Sequence, residues 1–320
     1  MGFPVAAGTV DLSSTGFIQY IPEIWAPKFA VKFYPTTFMS QVTNTDYQGS
    51  LTKMGDKVKI RVKPTVSTFK YTKNMDISKK STATMSASIE FPIERGIGWR
   101  VPVNKVDQAQ ADVDYLGEIM AEGALSSKVD IETEFLAEFY TECAAYNHGQ
   151  YAGKKSSVGG TVSNGYNLGY TGAPVGIDQT NAMTFLMMLQ AVSTEARMPE
   201  VGRFCILPSW YAFYLGISDL KNASFSGLGT STLLTGKIPN QMAGFQLFIT
   251  DLYTTITDGA FQAVPILFGH KSVCTFAAQL SVLETVPTIT DYGTTVQALT
   301  IYDWKCVNGD GIGYGYVYKA

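Results

Sequence analysis

An α+β protein is what this 320-residue sequence predicts, on three observations. Two stretches, 57–63 and 84–91, alternate polar and apolar residues with the period of two that belongs to half-buried strands. Between 104 and 142 apolar residues recur at spacings of three and four, as on an amphipathic helix. From 178 to 268 helical text alternates with short apolar strand-like text, and strand periodicity then returns to residue 320. At roughly 150 residues per domain the length sets about two domains, or one elaborated one. An apolar fraction of 46% supplies a sizeable core, and the low 16% of charged residues, with 30 Gly, 18 Tyr and 18 Phe, fits a sheet-rich protein.

Composition also excludes classes of function. A net charge of −3 does not describe a basic nucleic-acid binder. No run of 18 apolar residues exists; the longest candidate, 204–217, is too short to span a bilayer and contains Pro208. The opening MGFPVAAGTVDLSS has no basic region before an apolar core, so no signal peptide is expected, and Ala6 stands where myristoylation favours Ser or Thr. Cys143, Cys205, Cys274 and Cys306 lie more than 30 residues apart with no CxxC, which reads as buried free thiols in a reducing cytoplasm.

The elements follow in order. Residues 1–45 carry Phe17, Tyr20, Trp25, Phe29, Phe33, Tyr34 and Phe38 broken by prolines, an arm that needs another surface to pack on. Residues 46–103 form an extended hairpin loop. In it Lys57, Lys59, Arg61 and Lys63 share one strand face, Val58, Ile60 and Val62 the other, and 84–91 supplies the returning strand. A lone two-stranded hairpin is marginal in water, so this one must lie against another body. Within 53–100 eleven Lys/Arg face four Asp/Glu, a local charge of +7.

The sign then reverses. Residues 104–142 hold ten Asp/Glu against Lys105 and Lys128, a local charge of −8, on a long helix assigned to 104–148. Val106, Ala109, Val113, Leu116, Met120 and Ala124 share its apolar face, while Asp107, Asp114, Glu118 and Glu122 fall opposite. Ser127-Lys128-Val129-Asp130 resembles a capping box, so the helix is expected to restart or kink there. Residues 149–177 are Gly-rich and read as a surface insertion. A mixed α/β unit follows over 178–268: a helix capped by Asp178 or Thr180 and ended by Pro199, then strands at 204–207, 245–250 and 263–268. Residues 269–320 are return strands, with Tyr314, Tyr316 and Tyr318 in one period-two row.

No catalytic pattern emerges. GxSxG, HExxH and GxxxxGK[ST] are absent, and the series Gly309, Gly311, Gly313, Gly315 lacks GxGxxG spacing and falls within strand text. His148 and His270 sit at element junctions, outside any metal-binding or nucleophile pattern. No catalytic residue, cofactor or metal is expected.

The order of parts resembles the major capsid proteins of tailed bacteriophages, a fold also used by encapsulins. Met54-Gly55-Asp56-Lys57-Val58-Lys59-Ile60 is similar to the approach into that family's extended loop, and Phe91-Pro92-Ile93-Glu94-Arg95-Gly96-Ile97 to its exit before the spine helix. Leu234-Thr235-Gly236-Lys237-Ile238 with Ala243-Gly244-Phe245-Gln246-Leu247-Phe248 resembles the axial-domain passage. Leu267-Phe268-Gly269-His270-Lys271 through Glu284 resembles the return into the peripheral domain. These motifs span about residues 15–318. The Gly-rich insertion has no place in the family pattern.

The resemblance implies an arm, an extended hairpin loop, a spine helix in a peripheral domain and a mixed α/β axial domain. It also implies self-assembly through pentamers and hexamers into an icosahedral shell around double-stranded DNA, held non-specifically. The expected location is the virion, after synthesis in the bacterial cytoplasm. Other expected partners are a portal and a separate scaffolding protein, since no scaffolding segment of about a hundred residues precedes the arm in the family manner; no membrane is expected. Lys57, Lys59, Arg61 and Lys63 are expected to meet Asp107, Asp114, Glu118 and Glu122 between subunits. Two alternatives remain: an encapsulin-like compartment shell, and an α/β enzyme.

Overall fold

The computed structural model describes residues 37–46, 57–62, 66, 68–77, 88–105, 115–153, 165–218, 238–288 and 292–320. Twelve strands, numbered here β1–β12, form three sheets among them. The largest has the order β4-β12-β9-β5-β7-β6: Val175–Ile177, Ile312–Lys319, Phe261–His270, Arg203–Pro208, Phe245–Thr250 and Gln241–Met242, with β8 (Ile256–Asp258) on β9. Its central strand β5 is buried at every position, as a strand covered on both faces must be.

Side-chain parity on these strands divides the interior into two cores. Cys205, Leu207, Ile266, Phe268 and Val317 point to one, where they meet Phe185, Leu186 and Leu189 of helix α3 (Ala182–Glu195) and Tyr211 and Leu215 of helix α4 (Ser209–Ile217). Phe204, Ile206, Leu267 and Ile312 point to the other, where they meet Phe135, Leu136 and Phe139 beside Tyr302 and Trp304. Gly315 in β12 is set by packing: a Cβ there would come within 2.7 Å of the Phe185 ring. The Gly-spaced aromatic strand expected at this position is observed, with Tyr314 stacked on His148 and Tyr318 against Phe261 in a tilted contact.

A second sheet, β10-β11-β3, is antiparallel throughout: Cys274–Pro287, Gly293–Cys306 and Arg95–Asn104. The long helix α2 (Tyr115–Glu138) lies along it. Trp99 of β3 packs flat on the helix at Gly123, where a Cβ would lie 2.4 Å from the indole. Toward its C-terminal end α2 buries Ile131, Glu132, Phe135 and Leu136, whereas no described residue of 117–130 is buried. The third sheet is the hairpin root, β1 (Lys57–Arg61) on β2 (Ser88–Pro92). Ile60 and Phe91 seat it on Ala277 of β10.

Several sequence expectations are corrected. Residues 95–104, placed in the hairpin loop and the start of the helix, form β3, whose Pro102 is tolerated because β3 is an edge strand. The helix does not restart at Ser127: the Ser127 hydroxyl donates to the Gly123 carbonyl one turn back, at 2.8 Å, and α2 runs through. The Gly-rich stretch is not a pure surface insertion, since Ala152, Leu168 and Ile177 are fully buried and β4 pairs in parallel with β12. The large sheet crosses the boundary expected at 268/269, because β12 pairs along β9 from Ile312 to Tyr318. The arm over 1–36 and the returning strand over 84–87 lie outside the described residues.

Candidate interface surface

Much of the polar chemistry buried among the described residues is taken up by structural contacts. Arg95 of β3 donates from Nε to Asp303 at 3.3 Å and from its terminal nitrogens to Glu134 and Glu138 of α2, with its guanidinium 4.2 Å above the Trp304 ring. Burial alone would lower its pKa, but the hydrogen bonds and charges of Glu138 and Glu134 outweigh this and hold it protonated. Tyr302 completes the junction, donating to Glu134 at 2.6 Å. One side chain thus ties the helix to both β3 and β11.

Both histidines have structural roles. Burial lowers the pKa of His148, which stacks on Tyr314 with ring centroids 4.8 Å apart. His270 bridges the Val201 carbonyl and Ser272. All four cysteines are free thiols. No cluster of three or more metal-ligating side chains occurs among the described residues, and none of their helices is long and apolar enough to cross a membrane.

Glu132 is the one buried carboxylate with an unmet atom among the described residues. Its Oε1 accepts from the Phe38 and Met39 N–H groups, both at 3.0 Å, and so caps the short helix α1 (Met39–Val42), which has no side-chain cap of its own. Its Oε2 has no partner among the described residues, and desolvation raises its pKa against the opposing pull of those two N–H groups and Lys128.

The surface differs in character. On the hairpin, Lys59 and Arg61 are exposed and Ile60 is buried between them, as the alternation requires. Register sets Lys59 opposite Glu90, and their side chains pair at 3.5 Å. Outward from the root the apolar residues lose their cover: Val62, Val66, Phe69, Tyr71 and Ile77 are all exposed. On α2, Glu118 is exposed and Glu122 half-buried. Lys63, Asp107 and Asp114 lie outside the described residues, as does the Lys57 side chain. Among the described residues no ion pair joins Lys59 or Arg61 to Glu118 or Glu122 within the subunit. Sequence reading had placed Ile60 and Val62 on one apolar face that needs another body to lie against; it did not single out Val66 as an extension of that face.

No protein-family model matches the sequence, and no curated protein does. Solved structures do match in fold. The structure titled Mycobacterium phage Che8 superposes with a TM-score of 0.69 at 20% identity, covering 92% of this chain and 96% of that one. The capsid asymmetric unit of cyanophage Pam1 gives 0.71 at 13% identity, over 99% and 100% of the two chains. The capsid of a native GTA particle gives 0.63 at 13% identity, over 98% and 100%. The chain shares the fold of these structures over 92–99% of its length.

Proposed function

We propose that this chain is the major capsid protein of a tailed phage or prophage, a mechanical subunit that assembles as pentamers and hexamers into an icosahedral shell around double-stranded DNA. The carrying observation is the fold match over nearly the whole length of both chains to capsid structures. The surface supports the same reading. A hairpin whose apolar residues beyond the root are exposed, and a helix with no buried residue over 117–130, present surface that a single subunit leaves unburied and open to partners. Identical neighbours supply those partners in contacts that close into rings. The encapsulin-like alternative is not favoured by these neighbours.

Contact between copies brings the basic row of the hairpin toward the acidic face of the helix, the complement that the charge split of +7 against −8 provides. Lys59 already has Glu90 beside it, so its exchange to a neighbour's carboxylate yields little net energy, and Arg61 carries more of the attraction. The wall's contact with DNA is non-specific and weakens with salt. A portal and a separate scaffolding protein complete the set of partners. The test is direct: purified protein, with and without a candidate scaffold, is examined by light scattering and electron microscopy. Closed shells of uniform size are expected. Monomers of 34.8 kDa at every concentration would overturn the proposal.

A further inference from the structure

Three of the four thiols converge on one core. Cys274 and Cys306 are buried in the cluster between the large sheet and α2, and Cys143 packs against it half-buried; Cys205 lies in the other core. Strand register sets Cys274 directly opposite Cys306. The Val307 N–H donates to the Val273 carbonyl at 3.0 Å, a bond that flanks the pair and makes it a non-hydrogen-bonded one. In such pairs the Cα atoms approach to about 4.5 Å and the side chains leave the same face close together. A disulfide needs Cα atoms about 4.4–6.8 Å apart, and the usual spacing of a pair of this kind falls at the short end of that range. The Cys274 thiol makes a weak contact to the His270 carbonyl at 3.9 Å.

We propose that Cys274 and Cys306 are a latent dithiol site that closes to a cross-strand disulfide by exchange with a low-molecular-weight disulfide once the protein leaves a reducing compartment. One cysteine, as thiolate, attacks the small disulfide, forming a mixed disulfide and releasing one small thiol. The second cysteine then attacks the protein sulfur of that mixed disulfide and releases the other. Two protein thiols are oxidised, one small disulfide is reduced to two thiols, and the two protons pass to the departing thiolates. Desolvation raises the Cys274 thiol and pushes Cys306 up to about 12, so the exchange is slow and waits for the foot of the β10–β11 pair to open. The new bond closes the chain from 274 to 306 and restricts it when unfolded, which makes the site a staple at the root of the second sheet.

The site stands independently of the shell proposal. The experiment incubates the full-length reduced chain with oxidised glutathione at sub-denaturing urea, alkylates residual thiols, and maps linked peptides by mass spectrometry without reduction. The expected results are a 274–306 linked peptide, loss of two alkylatable thiols, and an unfolding midpoint several degrees higher that dithiothreitol reverses. Cys306→Ala and Cys274→Ala each remove the link and the shift, and Cys143→Ser keeps both. A predominant Cys143–Cys306 link, the absence of any link after prolonged oxidation, or a 274–306 link that leaves the midpoint unchanged would overturn the proposal.

Discussion

Replacing Glu132 with Ala removes the one side-chain oxygen that caps α1 among the described residues. The Phe38 and Met39 N–H groups would then be left without an acceptor in a place where their residues are 2% and 7% exposed. An unmet buried donor costs about 1–3 kcal/mol, so two set a gross loss of roughly 2–6 kcal/mol. Part of this is offset, because the substitution also removes a carboxylate whose ionised form burial disfavours. A net loss of about 2–3 kcal/mol is expected, a factor of roughly 30 to 150 in the equilibrium for releasing residues 37–46. Native-state hydrogen exchange at the Thr43 and Asn44 amides, which donate to Met39 and Cys274, reads this release directly. Glu132→Gln keeps an oxygen acceptor and should lose much less. The pH dependence has a definite sign. The folded pKa lies above the usual 4.5, so the contribution of Glu132 to stability is full below 4.5 and is lost as pH rises through the raised folded value. Glu132→Gln should flatten that slope. Unchanged exchange at 43 and 44 in Glu132→Ala would refute the capping role.

Other expectations concern the helix, the hairpin and the charges. Gly123→Val should open the α2–β3 contact, because its Cβ would begin 2.4 Å from the Trp99 indole; a loss of about 1–3 kcal/mol and a shifted tryptophan emission are expected, and an unchanged spectrum would contradict the packing. Deleting residues 65–83 should leave a cooperatively folding subunit that does not assemble, since Ile60, Phe91 and Ala277 at the root remain; sedimentation and thermal melts separate this from a folding defect. Reversing Lys59 and Arg61 to Glu should block assembly at low salt, and adding Glu118→Lys and Glu122→Lys should partly restore it. At 1 M salt, where screening shortens to about 3 Å, wild-type assembly should weaken too. Normal assembly of the charge-reversed hairpin at low salt would show the complementarity to be accidental.

What the sequence determined by itself was local. The alternation around Ile60 sets one exposed and one buried face, so the hairpin strand and the exposure of Lys59 and Arg61 were legible without tertiary structure. The same holds for the buried strand at 204–207, the helix Ala182–Glu195 and the Gly-spaced strand of tyrosines. Each follows from a period that acts within a few residues. The cap expected for the helix is not formed: it starts after Asn181 with no side-chain cap, and Asp178 accepts from the Thr180 and Asn181 N–H groups in the turn before it.

Tertiary structure decided which segments meet. Arg95–Asn104 carries two glycines and a proline and has little strand signal; it is a strand because β11 offers it a ladder from Gly293 to Tyr302. Ser127 has the chemistry of a cap, yet it sits mid-helix because the Arg95 junction and the contact between Trp99 and Gly123 hold α2 against the sheet on both sides of it. Leu168 looks like loop text and is fully buried because Tyr316 of β12 binds its carbonyl. Glu132, read from sequence as one more member of an acidic helix, became a buried cap for a segment more than ninety residues away. In each case the deciding hydrogen bond or contact is long-range, and residue order alone carries no record of it.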